Sequence, residues 1–434
     1  MQWLAVSILA AAVAASQPPT RTHLDAAKDA AKWIASSAIK TDAGLTWPSD
    51  PNDPKTANTT LYSGTPGIVL FFLELHQSTG NPQALADARA GADDLIAQLP
   101  KTSASGLYVG IAGLGFTLGE MYRATGEAKY REAAKQVVQL LGERAKTAGK
   151  GAEWSPVTDI ISGTAGTGLF LLYAADTLKD ANAAGLAAKA ADRLLEVGIA
   201  AHGGLKWPMA PNNARMMPNF SHGTAGIAYF LARVYESTRD RKYLDGAIAG
   251  AKYLQAVAKT DGDVCLIPHH EPDGLDLFYL GWCHGPAGTA RLWRVLDRAT
   301  GDASWRTWVD RSARTLLESG IPDKQTDGFW NNVSQCCGSA GVAQFLLDLH
   351  GATQDARYLA FARKMTSDLL ARGTRDDKGL RWIQAEHRVQ PKLLVAQTGY
   401  MQGAAGIGMW LLRLDAAENA RKPFVRFPDT PWQP

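Results

Sequence analysis

The chain has 434 residues, and its 45 basic and 42 acidic side chains leave a formal net charge of only +3. This balance gives no electrostatic case for a nucleic acid or an anionic membrane as partner. Beyond the first residues, no segment has the roughly 20 uninterrupted apolar residues of a membrane-spanning helix, so the sequence predicts no membrane span.

The first 16 residues have the pattern of a signal peptide. Trp3 to Ala15 is apolar apart from Ser7, the small residues from Ala14 to Ser16 offer a cleavage site, and Gln17 to Pro19 breaks the helix. No Lys or Arg precedes the apolar stretch, so only the terminal amine supplies the usual positive charge. We predict a signal peptide at residues 1–16 and a secreted or periplasmic protein. The alternatives are an apolar N-terminal helix and a misassigned start.

A four-residue phrase, Gly-x-(Ala or Pro)-Gly, then occurs seven times. Its first glycines are 46, 53, 60, 62, 53 and 65 residues apart, so each phrase begins a unit large enough for two helices and their turns. Paired glycines leave backbone bare at a helix start, which permits close approach of a neighbouring helix or of a ligand. The phrases begin at Gly64, Gly110, Gly163, Gly223, Gly285, Gly338 and Gly403.

Each unit has the pattern of an apolar helix, a turn and an amphipathic helix. Ile227 to Val234 is one apolar run, Thr125 to Glu127 is one of the turns, and Tyr130 to Ala145 and Tyr358 to Ala371 are amphipathic. The sequence therefore predicts an all-α protein of seven helical hairpins, stacked as an open solenoid or closed into a toroid with the apolar helices inside. In a closed ring, an amphipathic helix at His23 to Lys40 supplies the remaining outer helix.

The repeat also defines two sets of equivalent positions just before the phrases. If the units are equivalent, these residues lie at one pole of a toroid, near the N-termini of the inner helices. Three of the four cysteines and two of the nine histidines fall in these positions of three consecutive units, which is not a packing pattern. The residues one before the glycine are Ser63, Val109, Ser162, His222, His284, Cys337 and Gln402; those two before it are Tyr62, Tyr108, Ile161, Ser221, Cys283, Cys336 and Met401.

Three cysteines and nearby histidines that converge on a cleft have the ligand types of a zinc site. We predict Cys283, Cys336 and Cys337 as ligands of Zn²⁺, because three protein ligands plus a water are typical of catalytic zinc. A disulfide from Cys283 to Cys336 or Cys337 is the rival interpretation for an exported chain, and free buried thiols are another. Cys265 has no place in the repeat and is predicted to be a lone buried thiol.

Three further segments lie outside the repeated pattern. The loops Trp207 to Pro218 and Asp261 to Leu275 precede the fourth and fifth phrases, so they would overhang the pole and contact a substrate. The second loop contains His269 and His270, although adjacent loop histidines are more often solvated than functional. Phe424 to Pro434 is proline-rich and is predicted to lie over the surface.

At these motifs the chain resembles the lanthionine synthetase C-like family, the cyclases of lantibiotic biosynthesis and their eukaryotic relatives. The resemblance runs from about Leu61 to Leu414, and its most specific parts are Gly281 to Gly285 (Gly-Trp-Cys-His-Gly) and Cys336 to Gly338 (Cys-Cys-Gly). Asp159 to Ile161 and Phe220 to Gly223 agree more weakly. The resemblance implies an (α/α)7 toroid, one domain at residues 20–434, with one zinc at the pole.

The family pattern implies that Cys283, Cys336 and the residue after Cys336 bind the zinc. That residue is usually His and is Cys337 here; a third thiolate still suits zinc but makes it a poorer Lewis acid. His284 stands where relatives often carry Tyr or His beside the metal, so it is expected to be an acid, a base or a replacement ligand. Tyr279 stands where some bacterial cyclases have an arginine.

The implied chemistry is the addition of a thiol to a dehydroamino acid. Zinc would hold a thiol as the thiolate, which adds to the β-carbon of dehydroalanine or dehydrobutyrine. The resulting enolate needs a proton, for which His222 and His284 are the candidate general acids, while Asp159 could orient or charge-stabilise an imidazole. In the structural interpretation, His222 is a helix-start histidine satisfied by backbone and Asp159 is an N-cap.

The sequence thus predicts a secreted, monomeric, zinc-dependent cyclase-like enzyme that acts on a peptide or a small-molecule thiol. A carbohydrate-active toroid is the first alternative; it needs two opposed carboxylates, whereas Cys and His dominate the pole here. A peptide-binding toroid whose zinc or disulfide is structural is the second. The fold alone does not decide between them.

Overall fold

In the computed structural model, which describes residues 22–211, 213, 215–325, 332–385 and 390–432, the chain forms seven pairs of helices. The first glycine of each phrase is the N-cap of an inner helix and has extended backbone. The outer helices are α1 (Thr22–Ala35), α3 (Pro82–Gln98), α5 (Ala128–Arg144), α7 (Ala181–Val197), α9 (Arg241–Val257), α11 (Ser304–Glu318) and α13 (Ala356–Ala371). The inner helices are α2 (Thr65–Thr79), α4 (Ile111–Thr125), α6 (Thr164–Thr177), α8 (Thr224–Thr238), α10 (Pro286–Thr300), α12 (Ser339–Thr353) and α14 (Ala404–Glu418).

The seven pairs close into a toroid. Each inner helix packs against the next one round the ring, and α14 packs against α2, which excludes the open solenoid and confirms the predicted (α/α)7 toroid. The predicted outer helix at the start of the chain is α1, which packs against α14. It ends at Ala35, earlier than predicted, because Ile39 and Lys40 pair with Thr46 and Leu45 in a hairpin. Within the described ranges, the helices are too short or too polar to cross a membrane.

The second glycine of each phrase lets the preceding loop fold against the start of the inner helix. A Cβ atom on Gly226 would lie 2.1 Å from the carbonyl oxygen of Phe220, and one on Gly288 would lie 1.9 Å from that of Trp282. No side chain tolerates such an approach, so these positions require glycine. In all seven units the obstructing carbonyl belongs to the residue six positions earlier, so the phrase places every pole loop at the same position on its helix.

Short two-stranded antiparallel hairpins, which the sequence analysis does not predict, follow five of the outer helices. A sixth hairpin follows directly on the fifth. The hairpins return the chain from the outer layer toward the pole. Their strands are β1 (Ile39–Lys40) with β2 (Leu45–Thr46), β3 (Lys146–Ala148) with β4 (Gly151–Glu153), β5 (Ile199–Ala201) with β6 (Gly204–Lys206), β7 (Lys259–Asp261) with β8 (Val264–Leu266), β9 (Thr374–Asp376) with β10 (Gly379–Arg381), and β11 (Ile383–Ala385) with β12 (Leu394–Ala396).

A buried tryptophan directly follows the second strand of four of these hairpins. Trp207 donates its indole N–H to the carbonyl of Leu194 in α7, at 2.6 Å. Trp154 and Trp382 make the same bond to the residue thirteen positions earlier, at 2.7 and 2.8 Å. Trp47 is fully buried in the equivalent position, but its indole N–H has no acceptor among the described residues. The three hydrogen-bonded tryptophans therefore tie their hairpins to the outer helices that precede them.

The pole loops are joined to one another by a closed circle of seven backbone hydrogen bonds, which we call the pole ring. Each loop donates one N–H to a carbonyl of the next loop, and the seventh loop donates back to the first, at distances of 2.8 to 3.2 Å. Six links have the same register, and the third is shifted by one residue. The donors are Tyr62, Tyr108, Ile160, Ser221, Cys283, Cys336 and Met401, and the acceptors in the same order are Tyr108, Ile161, Ser221, Cys283, Cys336, Met401 and Tyr62.

The end of the chain packs against the inner helices on the lumen side of the toroid, so the prediction that it lies over the surface holds for one face only: alternate residues are buried, while Arg426 is exposed. Val425, Phe427 and Asp429 are buried there. The physical reason is that the inner helices bury the carboxylates of Glu74 and Glu120, which need hydrogen-bond donors and find them in the backbone of this segment. We call residues 424–432 the C-terminal segment.

Candidate metal centre

The three cysteines of the pole loops converge as the sequence predicts. Cys283 ends the loop before α10, Cys336 and Cys337 lie in the loop before α12, and two of the three are donors in the pole ring. Their sulfurs lie within 4.8 Å of one another. The Sγ atoms of Cys283 and Cys337 are 3.3 Å apart, which is longer than the roughly 2.05 Å of a disulfide bond, and all four cysteines are unbridged.

This cluster fits a metal ion of the zinc type. Tetrahedral zinc with Zn–S bonds of about 2.3 Å separates its sulfurs by about 3.8 Å. Here one sulfur pair is 3.3 Å apart and all three sulfurs lie within 4.8 Å of one another, so small shifts would reach that spacing. Hydrogen bonds from the Cys283 and Cys337 thiols, with that of the Tyr62 hydroxyl, outweigh burial and lower the pKa of Cys336 well below its ordinary value. Of the three thiols, that of Cys336 is therefore the one whose thiolate the surrounding hydrogen bonds favour most.

Cys265 lies apart from this cluster, as predicted. It is buried beside α11, and burial raises the pKa of its thiol to about 11. Such a thiol is inert at neutral pH.

Tyr62 and Gln402 direct hydrogen-bond donors at the sulfurs. The sequence places both residues at the pole but assigns them no role. The amide of Gln402 donates to the Tyr62 hydroxyl at 2.9 Å and approaches the Sγ atom of Cys337 at 4.0 Å. Its carbonyl oxygen accepts from Ser334 and Asn332, at 3.0 and 3.3 Å. Because that oxygen is satisfied, the amide N–H groups point at the site, and the Tyr62 hydroxyl is left to donate to Cys336.

The predicted pair of His222 and Asp159 is also present. Nδ1 of His222 lies 2.6 Å from Oδ2 of Asp159, while Oδ1 of the same carboxylate accepts the backbone N–H groups of Ser162 and Gly163 at 2.7 and 2.8 Å. Asp159 is therefore both the N-terminal cap of its turn and the partner of an imidazole. Oδ1 has the capping role of the structural interpretation, and Oδ2 makes the contact with an imidazole that the catalytic interpretation requires; the catalytic role itself stays a prediction.

Electrostatics favour the charged form of His222. Burial would lower the pKa of its imidazole, but the hydrogen bond and the negative charge of Asp159 outweigh it and raise the pKa above the ordinary value. Nδ1 is directed at Asp159, so Nε2 is the ring nitrogen left without a hydrogen bond to the described residues, and the side chain keeps 30% of its exposure. His222 can therefore deliver a proton to a ligand at the pole.

His284 has the opposite character. Burial and the neighbouring histidines 269, 222 and 270 hold the pKa of its imidazole well below the ordinary range, so the ring stays neutral. Its Nδ1 atom has no hydrogen-bond partner in the described part of the chain. The ring centroids of His222 and His284 are 5.6 Å apart. Of the two histidines predicted as general acids, His222 is therefore the one whose environment favours the protonated form that a general acid requires.

The loop histidines are closer to this site than the sequence suggested. The ring of His269 lies 4.1 Å from that of His284, and Nδ1 of His269 lies 2.8 Å from Nδ1 of the buried His270. Tyr279, at the position of the family arginine, packs against His269 at 4.4 Å. The solvated interpretation of the adjacent histidines is wrong, because their loop folds down onto the pole. The predicted position of this loop over the pole is thus observed, although the repeat gave no signal for which of its side chains reach the site.

Comparison with known proteins agrees with this description. A family model described as lanthionine synthetase C-like protein matches residues 55–428. Among solved structures, nisin cyclase is similar over 93% of this chain and 95% of its own, with a TM-score of 0.61 and 16% identity. A glycoside hydrolase family 76 mannosidase from Bacteroides thetaiotaomicron VPI-5482 is similar over 92% and 100%, with a TM-score of 0.53 and 11% identity. At these identities the likeness concerns the fold. Among curated proteins, none matches the chain significantly.

Proposed function

The chain belongs to the lanthionine synthetase C-like family, and we propose that it is a zinc-dependent cyclase-like enzyme that adds a peptide or small-molecule thiol to a dehydroamino acid. The observation that carries the proposal is the convergence of three cysteine sulfurs within 4.8 Å at the pole that also holds the His222–Asp159 pair. A metal-type nucleophile site and a charged imidazole are the two parts that such an addition needs.

Cys283, Cys336 and Cys337 would hold the zinc. When bound, the metal would supply the activation of a substrate thiol as its thiolate at neutral pH. The roles of the protein side chains follow from the hydrogen bonds around them. Tyr62 and Gln402 direct donors at the sulfurs and so stabilise a shell that carries one more negative charge than two cysteines and a histidine would.

The addition itself requires one new bond and one proton. The thiolate sulfur bonds to the β-carbon of the dehydroamino acid, and the electron pair of the double bond moves onto the α-carbon and its carbonyl. The imidazolium of His222 donates its Nε2 proton to the α-carbon, and the proton that the thiol released restores the charge of His222. Asp159 holds the ring through Nδ1 and stabilises the charged form throughout.

A carbohydrate-active function has the fold in its favour but not the site. Glycosidases of the common kind use a pair of carboxyl groups about 5 to 9.5 Å apart. None of the fourteen residues one or two positions before the phrases is Asp or Glu. Both oxygens of the buried Asp159 are engaged, by backbone N–H groups and by His222. The cyclase-like proposal therefore stands ahead of this alternative.

The test combines metal content with activity. Reduced, purified protein should contain about one zinc per chain and should add a small thiol to a dehydroalanine-containing peptide. Cys283→Ala should lose both, whereas His222→Ala should keep the zinc and lose activity by roughly 10² to 10⁴. Cys265→Ala is the matched control and should keep both. Zinc-free protein with full activity, or protein with reduced thiols that takes up no zinc, would refute the proposal.

The place of action is part of this proposal. Residues 1–16, whose pattern predicts export, lie outside the described residues, so secretion stays a prediction, as does a monomeric state. N-terminal sequencing of the mature protein checks the cleavage. A mature protein that begins at Met1 and stays in the cytosol would contradict it.

A further inference from the structure

The C-terminal segment lies in the lumen of the toroid in the manner of a bound peptide. It has no regular secondary structure, so its backbone groups need partners elsewhere. Charged side chains of the inner helices supply most of them. The segment therefore differs from a surface strap, which would leave these groups to water.

One wall of the lumen is acidic and accepts the N–H groups of the segment. Glu74 of α2 accepts those of Phe424 and Val425, at 3.0 and 2.7 Å. Glu120 of α4 accepts that of Arg426 at 3.3 Å. Both carboxylates are buried, which raises their pKa values. The segment thus supplies donors where the toroid buries acceptors.

The facing side chains are basic and donate to the carbonyl groups of the segment. Each contact is made by a guanidinium group of an inner helix, at 2.9 to 3.3 Å. These contacts concern the backbone of the segment, not its side chains. The pairs are Arg413 with Val425, Arg233 with Pro428, Arg291 with Asp429, and Arg298 with Pro431.

Two buried side chains of the segment, those of Phe427 and Asp429, face the pole ring. The ring of Phe427 stacks on Tyr400 with centroids 4.7 Å apart. The carboxylate of Asp429 accepts the hydroxyl hydrogen of Tyr108 at 3.1 Å, and the Tyr108 ring packs edge-on against Trp282 at 5.4 Å. All of these side chains are buried.

These contacts reach residues that are adjacent in sequence to the pole ring around the cysteines. Trp282 directly precedes Cys283, and Tyr400 directly precedes Met401, whose carbonyl accepts the N–H of Cys336. The space between the segment and this aromatic layer is a cavity of about 30 Å³, room for very few water molecules. Phe427 and Asp429 therefore have little room to move independently of the aromatic layer.

We infer that the C-terminal segment is an internal peptide ligand of the lumen and that Asp429 is a positioning residue for the cysteine cluster. Asp429 acts through Tyr108 and Trp282 on the loop of Cys283. The lumen side of the toroid is, on this inference, a binding channel for an extended peptide, whose backbone is bound by carboxylate and guanidinium groups. The inference concerns the geometry of the cluster and holds whatever reaction the site performs.

The test measures thiol reactivity residue by residue. The purified, reduced full chain is treated with iodoacetamide, and the alkylation rate of each cysteine is followed by mass spectrometry. Asp429→Ala leaves the Tyr108 hydroxyl without its acceptor, so the rates of Cys283 and Cys337 should change on the order of tenfold. Asp429→Asn keeps an accepting oxygen and should stay near wild type. Lys422→Ala, an exposed site just before the segment, is the control.

Cys265 is the internal reference in the same experiment. It is buried but lies outside the cluster, so global loosening would raise its rate together with the others. A change confined to the cluster supports the positioning role. Unchanged rates in Asp429→Ala, or a parallel rise of all four cysteines, would overturn it. Either result leaves the thiol-addition proposal to its own assay.

A second arm tests the channel directly. A chain that ends at Pro423 is mixed with a synthetic peptide of residues 424–432, and binding is measured by calorimetry. The inference requires saturable binding and return of the wild-type alkylation pattern, with a weaker effect from the same peptide carrying Asp429→Ala. A folded truncated chain that ignores the peptide would contradict the channel. If that chain does not fold, the point variants decide.

Discussion

At the scale of single residues, Asp159 explains how one carboxylate serves both fold and chemistry. Its Oδ1 atom caps the turn before α6, and its Oδ2 atom holds His222. The two functions can be separated by mutation, because asparagine keeps one accepting oxygen for the turn but offers an N–H group to the imidazole. The substitution tests the electrostatic part of the pair alone.

We expect Asp159→Asn to shift the alkaline limb of the pH–activity profile to lower pH. The Asp159 carboxylate raises the pKa of His222 against the opposing effect of burial, so its loss lowers that pKa and removes the acidic imidazole at a lower pH. The profile of rate against pH, compared with that of wild type, measures the shift. An unchanged limb would show that His222 is not the acid, while His222→Ala should abolish the limb altogether.

The second residue-scale feature is the directed chain of hydrogen bonds from Gln402 through Tyr62 to Cys336. Groups that hydrogen-bond to metal ligands are commonly worth 10- to 100-fold in metal affinity. The sequence placed both residues at the pole, but the repeat could not say that units one, six and seven meet there, because that contact exists only once the ring has closed.

Tyr62→Phe should therefore weaken zinc binding by roughly 10- to 100-fold without loss of the fold. A competition titration against a chelator of known affinity measures the change. Tyr243→Phe is the matched control. It removes a hydroxyl that likewise donates a hydrogen bond, but to the carboxylate of Asp192 on the outer layer, at 2.9 Å. Equal affinities in the two variants would show that the Tyr62 hydroxyl does not support the metal shell.

At the scale of elements, the sequence predicted the inner helices well because each begins at a glycine phrase. It did not predict the hairpins, whose strands have two or three residues and show no alternation long enough to recognise. The prediction of α1 was too long for the same reason: Ile39 and Lys40 continue the helical pattern but belong to a strand. Tertiary pairing overrides local pattern at these short elements.

The tryptophans after the hairpins allow a matched stability test. Trp207 and Trp47 are both fully buried in equivalent positions, but only the indole N–H of Trp207 has an acceptor. Phenylalanine removes similar volume at both sites, yet it leaves the carbonyl of Leu194 unpaired at one of them. We expect Trp207→Phe to lower the free energy of unfolding by about 1 to 3 kcal/mol more than Trp47→Phe does. Denaturant titration measures both; equal losses would contradict the bond's contribution.

At the scale of the molecule, the cysteine cluster is predicted to depend on metal in an oxidising compartment. The Sγ atoms of Cys283 and Cys337 are 3.3 Å apart, so little movement separates them from a disulfide. Removal of zinc by a chelator in air should therefore inactivate the protein in a way that zinc alone does not reverse, whereas zinc with a reductant does. Chelation under nitrogen is the control. Full recovery with zinc alone would show that the thiols resist oxidation.

The sequence could predict the seven helical hairpins and the convergence of the cysteines because both are periodic, whereas the closed ring was implied only by the family resemblance. It could not place the C-terminal segment. Nothing in Phe424 to Pro434 indicates that the carboxylates of Glu74 and Glu120 are buried in the lumen and need hydrogen-bond donors. The sequence predicted that the loop of His269 overhangs the pole, but not that the His269 ring packs against His284, because a loop between repeats has no counterpart elsewhere in the chain. Contacts between segments outside the repeat could be identified only from the assembled toroid.

Because of the pole ring, the geometry of the site does not depend on the length of the individual repeat units. The spacing of the phrases varies from 46 to 65 residues, yet the links between neighbouring loops differ in length by no more than a few tenths of an ångström. Extra chain is therefore accommodated outward, in the hairpins and outer turns. For protein engineering this means that a reporter domain inserted in the exposed hairpin turn at Gly203 is expected to leave the sulfur positions unchanged.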